Sequence, residues 1–159
     1  MRHILFFFVL LAASIPRATR GQVESEDAPS KPSQTEEVPT VTSIDIGERH
    51  RIRKARHGVF LINTEDTFVG RSLDMYGEWC QSEVVLFSKV VKEGDVVIDV
   101  GANIGAFSIP LANLVGPKGA IVAFEPQRQL FQLLSANVAL NELSNAFVYQ
   151  KAVGEGGGR

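Results

Sequence analysis

The second half of the chain alternates between short apolar runs and longer stretches with helical spacing. Three apolar runs, at 96–100, 120–124 and 146–150, are typical of strands in a parallel sheet, and the first of them is typical of a strand buried on both faces. Between them, apolar side chains recur every three or four residues at 104–115 and 127–140, which predicts two helices. Short connections between alternating strands and helices imply right-handed crossovers. We therefore predict an α/β fold built on a parallel sheet.

The same patterns predict further elements ahead of this sheet. Residues 58–70 alternate well enough for a hairpin with its turn at 63–66, and a helix follows at about 82–91 with Ser82 as its N-cap. The stretch 49–57 concentrates Arg and Lys. It is typical of a solvated lead-in to a domain or of a processing site, and the alternative is a patch for an anionic partner.

The first part of the chain has the composition of a leader and a spacer. A basic start precedes an apolar run at 4–15 that is too short for a bilayer span, which predicts a signal peptide over 1–21. Residues 22–47 are predicted to be a disordered linker, because they are rich in Glu, Ser, Pro and Thr. The domain is then 48–159. We expect a secreted or lumen-facing protein, with anchoring to a membrane by an uncleaved N-terminal segment as the alternative.

Net charge and cysteine count restrict the partners and the metal sites that we expect. The formal net charge of −2 argues against a general nucleic-acid binder, so we expect no nucleic-acid partner. Cys80 is the single cysteine, which excludes a disulfide within the chain and a cysteine-based metal site. We predict no metal and expect Cys80 to be semi-buried without chemistry.

A glycine loop after the first parallel strand is the strongest candidate site. Asp99 stands inside an apolar strand, where a carboxylate is costly to bury without a partner, so it is predicted to contact a ligand. Gly101 and Gly105 allow the backbone to pass close to a bound molecule. A helix from about Ile104 would direct its N-terminal N–H groups to the same place. The stretch predicts a cradle for a cofactor.

Details of the loop favour S-adenosylmethionine as that cofactor. A dinucleotide loop needs Gly at the positions of Asn103 and Ala106, so Asn103 would crowd a pyrophosphate and Asp99 would repel it. A sulfonium cofactor with an ammonium group and no phosphate tolerates both. Glu125 follows the second strand, about 20 residues beyond Gly105, and suits a ribose-binding acid in either class. A nicotinamide-dependent oxidoreductase is the less favoured alternative.

Longer motifs resemble a known family. The runs YGEW at 76–79, GDVVIDVGANIGAFSIPLA at 94–112 and VAFEPQRQLFQLLSANVALN at 122–141 are similar to FkbM-type S-adenosylmethionine-dependent methyltransferases. The resemblance covers roughly 58–154. It implies a Rossmann-like class I methyltransferase sheet with an N-terminal hairpin and helix.

The resemblance also implies the site residues. Asp99, Gly101, Asn103 and Gly105 would form the cofactor loop, and Glu125 would hold the ribose hydroxyls. By analogy of fold, the backbone at Ala152 would flank the adenine. The aromatic and acidic run 76–79 and Glu83 are weaker candidates for ligand contacts, with packing as the alternative.

The part of the fold that would bind the methyl acceptor is not covered by these motifs. The sequence supplies the first three parallel strands of the implied sheet, so we expect a partial domain whose Asp99 strand has an open edge. No catalytic residue is predicted, because the acceptor pocket and any base usually lie on later strands, and His3, His50 and His57 are outside the core.

We expect methyl transfer to oxygen on a sugar, glycan or other small molecule, as the family resemblance implies. Activity of this chain alone is left open by the missing strands. A non-catalytic secreted binding protein that keeps the half-fold and uses the basic run 49–57 is the stronger alternative.

Overall fold

The computed structural model describes residues 4–8 and 42–155, which belong to one compact unit. The strands among the described residues are β1 Ile4–Phe8, β2 Ser43–Ile46, β3 His50–Ala55, β4 Gly58–Asn63, β5 Val96–Val100, β6 Ala120–Phe124 and β7 Ala146–Tyr149. The helices are α1 Val69–Tyr76, α2 Gln81–Val90, α3 Ser108–Val115 and α4 Arg128–Leu140. No helix among them is long and apolar enough to cross a membrane.

A parallel sheet in the order β1-β5-β6-β7 forms the centre of the fold. The predicted strands β5, β6 and β7 are present and parallel, which confirms the α/β fold. On one face of β5, Val97 and Asp99 are buried, and the neighbouring Ile121 is fully buried in the same apolar cluster as Val97. On the other face Val96, Ile98 and Val100 are only half-buried. We predicted that both faces of β5 are buried. The prediction is confirmed for the face that carries Val97 and Asp99 and is wrong for the other, which is half-buried.

The edge of β5 that we predicted to be open is paired in this structure. β1 runs parallel to β5, with Phe7 in register with Asp99. The prediction of an open edge is therefore wrong, because an apolar segment far away in the sequence supplies the missing hydrogen-bonding partner. The signal peptide over 1–21 stays a prediction, and its residues 1–3 and 9–21 lie outside the described part of the chain, as does most of the predicted linker.

A second, antiparallel sheet in the order β2-β3-β4 lies between β1 and β5 in the sequence. β4 pairs with β3, so the predicted hairpin within 58–70 is wrong: the basic run supplies the partner strand. β2 extends this sheet into the segment predicted as a linker. In β3, Arg51 donates to Asp45 at 2.6 Å and to Asp74 at 2.8 Å. These ion pairs partly neutralise the basic run.

Two helices connect the antiparallel sheet to β5. α1 was not predicted; its start is fixed by Asp66, whose carboxylate accepts the backbone N–H of Phe68 at 2.8 Å and of Gly70 at 2.9 Å. α2 lies within one residue of its predicted span. Its N-cap is Cys80 in a left-handed conformation rather than Ser82. Cys80 is exposed, which corrects the expectation of a semi-buried thiol.

Candidate functional site

The predicted loop lies where β5 and β6 end side by side. Val100 and Phe124 are in register as the last residues of their strands. The N–H groups of Gly101 and Ala102 both donate to the carbonyl of Phe124, at 2.9 and 3.0 Å. These bonds fix the loop at the carboxyl edge of the sheet, the edge at which open α/β sheets bind ligands.

Asp99 is a buried carboxylate with one oxygen satisfied. Its Oδ2 accepts a hydrogen bond from the Ser108 hydroxyl at 2.6 Å, whereas its Oδ1 is buried without a hydrogen-bond partner. Burial raises the pKa of Asp99 to about 6, the Ser108 hydrogen bond opposes this, and the nearby Glu125 charge adds to it. The side chain can therefore accept one further donor at Oδ1.

The two glycines of the loop serve different purposes. Gly101 has a φ of +82°, and a Cβ placed on it would meet nothing within 4 Å, so the backbone borders open space. Gly105 has a φ of +91°, but a Cβ there would come within 2.9 Å of Leu134 Cδ1 on α4. Gly101 thus leaves room for a ligand, and Gly105 allows the loop to pack on α4.

Asn103 shapes the turn between the glycines. Its φ is +53°, a left-handed conformation that Asn tolerates better than most residues. Its side-chain oxygen accepts the N–H of Ile104 at 2.7 Å, and its own N–H donates to Glu125 Oε2 at 2.9 Å. Asn103 therefore stabilises the loop locally and joins it to the end of β6.

Glu125 is buried and binds two backbone groups. Besides Asn103, the N–H of Gln127 donates to its Oε1 at 2.8 Å, just ahead of α4. Each carboxylate oxygen retains a second lone pair, so the side chain can accept further hydrogen bonds. Its predicted contact with ribose hydroxyls stays a prediction.

Ala152 lies near the same edge, beyond the end of β7. The carbonyl of Tyr149 accepts the N–H groups of Glu125 and Lys151, both at 3.0 Å. Ala152 is exposed in the segment that follows. The six predicted site residues therefore lie along the carboxyl ends of three adjacent strands, and the role of Ala152 beside an adenine stays a prediction.

The helix after the loop starts later than predicted. α3 begins at Ser108 rather than at Ile104, and residues 103–107 form turns. Pro110 explains this, because proline is tolerated in the first turn of a helix and not in its interior. The later start places Ser108 over Asp99.

Sequence reasoning missed two buried polar residues beside the loop, Ser108 and Asn137. Both are fully buried. Ser108 interrupts an apolar helix, and Asn137 stands four residues after Leu133 and three after Leu134, on the predicted inner face of α4. A polar residue on an apolar helix face was the available signal, since a buried polar side chain must find a partner.

The weaker candidates are occupied elsewhere. Glu78 Oε2 lies 2.8 Å from the Nε of Arg56, and Trp79 packs against two apolar clusters. Among the described residues, no group of three or more His, Cys, Asp or Glu side chains could hold a metal ion.

These residues fit S-adenosylmethionine. The Oδ1 atom of Asp99 offers an unused acceptor for a cationic group, and the open space at Gly101 leaves room beside the backbone. Asn103 would still crowd a pyrophosphate at the same turn.

Comparisons with known proteins support this reading. The family model of the TRM5/TYW2 methyltransferase domain matches residues 69–155. The 23S rRNA (uracil(1939)-C(5))-methyltransferase RlmD of Acinetobacter baumannii strain SDF is 36% identical over 61 residues, which cover 38% of this chain and 13% of that protein. The chain thus spans a small part of the relatives of this type.

Solved structures show the same fold. TYW2 of M. jannaschii in complex with AdoMet is 25% identical with a TM-score of 0.51, over 66% of this chain and 44% of that chain. The complex of aTrm5 and tRNALeu gives 22% identity and a TM-score of 0.52, over 68% of this chain and 29% of that chain.

The comparisons confirm a methyltransferase domain and S-adenosylmethionine as its cofactor. The assignment to the FkbM type is wrong, because the matching family is TRM5/TYW2. The match to the TRM5/TYW2 methyltransferase domain overturns the exclusion of nucleic acid as a partner and the expectation of a sugar, glycan or small-molecule acceptor. One structural neighbour, aTrm5, was solved with tRNALeu.

Proposed function

Since the chain belongs to the TRM5/TYW2 methyltransferase domain family, we propose that it carries the methyl-donor site of an RNA methyltransferase. The single observation that carries the donor site is the buried Asp99 carboxylate with a free Oδ1 beside the open backbone of Gly101. The RNA acceptor is supported by relatives: RlmD is named for 23S rRNA, and aTrm5 was solved with tRNALeu.

Each site residue has a specific part in holding the donor. Asp99 Oδ1 accepts the ammonium of the methionine portion, Gly101 lets the backbone approach it, and Glu125 accepts the ribose hydroxyls. When bound, S-adenosylmethionine supplies an electrophilic methyl group on its sulfonium. The chain's contribution is to hold that methyl group in a fixed position relative to the acceptor.

A net charge of −2 is compatible with this proposal. Net charge averages over the whole chain, whereas phosphate contacts depend on local cations. The most basic stretch is partly neutralised, since Arg51 contacts Asp45 and Asp74.

Calorimetric titration of S-adenosylmethionine tests the donor site. We expect Asp99→Ala and Glu125→Ala each to weaken binding by about 10- to 100-fold, the effect of one or two lost charge-assisted hydrogen bonds. Glu48→Ala is the matched control: it removes an exposed carboxylate from the turn between β2 and β3 and should bind like the wild type. Equal affinity in all four proteins would contradict the assignment of the site.

Transfer of a labelled methyl group tests the acceptor separately. The protein is incubated with labelled S-adenosylmethionine and, in parallel, with total tRNA, rRNA and a glycan mixture. Label in either RNA supports the proposal. Label in glycans alone, with normal donor binding, would refute the RNA acceptor while leaving the donor site intact.

A further inference from the structure

Two asparagines, Asn137 in α4 and Asn141 at the C-cap of that helix, cover the free edge of β4. In an antiparallel pair, every second residue turns its N–H and C=O away from the partner strand, and Val59 and Leu61 do so here. Asn141 accepts the N–H of Val59 at 2.8 Å and donates to its carbonyl at 2.7 Å. Asn137 accepts the N–H of Leu61 at 2.6 Å and donates to its carbonyl at 3.2 Å. The two side-chain amides thus replace a neighbouring strand.

The spacing makes this arrangement possible. Four residues of helix rise about 6 Å, and two residues of strand advance about 6.8 Å. Asparagines at i and i+4, the second at the C-cap of α4, therefore face residues j and j+2 on β4. A primary amide has the same acceptor and donor as a peptide group, so each asparagine satisfies both groups of one strand residue.

Asn137 makes one contact that Asn141 does not. Its Nδ2 also donates to the carbonyl of Ile104, at 2.8 Å, and Ile104 lies between Asn103 and Gly105 in the cofactor loop. The corresponding Nδ2 of Asn141 donates to the carbonyl of Asn137 within its own helix, at 2.7 Å. One fully buried side chain thus joins the N-terminal sheet, α4 and the loop.

We propose that Asn137 is a positioning residue for S-adenosylmethionine: it holds the Ile104 carbonyl and so fixes the loop against the β3–β4 hairpin. The inference rests on the proposed donor site. Ile104 is itself buried, so its carbonyl needs a protein partner, and Asn137 Nδ2 is a donor at hydrogen-bonding distance. Without it, the turn from Asn103 to Gly105 would keep its own hydrogen bonds but lose the one that ties it to α4 and β4.

Asn137→Ala and Asn141→Ala form a matched pair in the full-length chain. Both remove two hydrogen bonds to β4, but only the first frees Ile104. Hydrogen exchange is measured on peptides covering 58–62 and 101–107, where the N–H groups of Gly101, Ala102, Asn103, Ile104 and Gly105 are all hydrogen-bonded. We expect faster exchange at 58–62 in both variants, and at least about tenfold faster exchange at 101–107 in Asn137→Ala alone.

Affinity for S-adenosylmethionine provides the second readout. We expect Asn137→Ala to weaken binding about tenfold and Asn141→Ala to leave it within about twofold of the wild type. Equal effects of the two variants on loop exchange, or equal losses of affinity, would overturn the proposal in favour of a purely structural role.

A second variant and a readout without ligand keep the test decisive if Asn137→Ala does not fold or the protein does not bind S-adenosylmethionine. If Asn137→Ala does not fold, Asn137→Ser is judged by the same criteria, since serine keeps a polar group in the buried position. Exchange at 101–107 needs no ligand. A wild-type protein that fails to bind S-adenosylmethionine would refute the donor site, while the exchange pattern would still decide whether Asn137 positions the loop.

Discussion

Replacing Asp99 with Asn should stabilise the fold while weakening the donor site. The carboxylate is buried, one of its oxygens has no partner, and its pKa is raised to about 6 from 3.8. In the folded protein Asp99 therefore keeps its proton to a higher pH than in the unfolded chain. Between about pH 4 and 6 the folded state binds more protons, so its free energy of unfolding falls as the pH rises.

The magnitude follows from the size of the shift. A change of roughly two pKa units corresponds to about 3 kcal/mol, which is the full cost of ionised Asp99 above pH 6. Asn has the same shape, stays neutral, and its oxygen can still accept the Ser108 hydroxyl. The Asn amide group would lack a hydrogen-bond partner at the place where Oδ1 now lies. This loss would reduce the gain in stability by about 1 kcal/mol or more. We therefore expect Asp99→Asn to gain about 1–2 kcal/mol at pH 7.

Urea unfolding of both proteins at several pH values between 4 and 8 measures this effect. Other groups titrate in the same range, so the informative quantity is the difference in unfolding free energy between variant and wild type. That difference should grow in favour of Asp99→Asn as the pH rises from 4 to 6 and then level off. A difference that stays constant across the range would refute the reasoning.

Ser108→Ala provides the opposite control. The Ser108 hydroxyl lowers the pKa of Asp99, so its removal should raise that pKa further. The stability of Ser108→Ala relative to the wild type should therefore fall as the pH rises.

The Asp99→Asn protein, although more stable, should lose affinity for S-adenosylmethionine. This is expected where a functional site is kept at a cost in stability.

Other changes test the loop and the ends of the sheet. Gly101→Ala should cost only about 1 kcal/mol from its positive φ but should abolish tight donor binding. Gly105→Ala should cost about 2–4 kcal/mol by denaturant unfolding, since its methyl group would also press on buried Leu134; equal stability of the two variants would contradict their different roles. Deleting residues 1–41 removes β1 and uncovers the edge of β5, so sedimentation should show self-association; a monomer would argue that this edge needs no partner. Cleavage of the predicted signal peptide near Gly21 would remove β1 as well, so exported protein whose N-terminus lies close to Gln22 by mass spectrometry should self-associate like the deletion variant.

The donor loop was predictable because its information is local. Asp99 in an apolar strand, glycines at 101 and 105, and Glu125 after the next apolar run all lie within 27 residues of one another, counting from 99 to 125. Each has a backbone or burial requirement that few other residues satisfy. The later start of α3 was also readable from Pro110, which belongs in a first turn.

The N-terminal sheet was not predictable in the same way, because its pairing depends on contacts far apart in the sequence. The basic run reads as solvated, yet Arg51 lies in a strand because Asp45 and Asp74 neutralise it from β2 and α1. Val59 and Leu61 find their partners on α4, about 80 residues away. The alternation within 58–70, taken alone, predicted that the two halves of this segment pair with each other, whereas β4 pairs with β3.

The family was assigned wrongly because the most specific motif reflects how the methyl donor is bound. The loop from Asp99 to Gly105 and the acid at Glu125 answer requirements of the methyl donor, and those requirements are the same whichever molecule accepts the methyl group. A close match in this stretch therefore identifies S-adenosylmethionine and leaves the acceptor open. Residues that distinguish an RNA from a glycan must instead contact the acceptor. Labelled methyl transfer is thus the measurement that identifies the acceptor, because donor binding alone is expected of any S-adenosylmethionine-dependent methyltransferase.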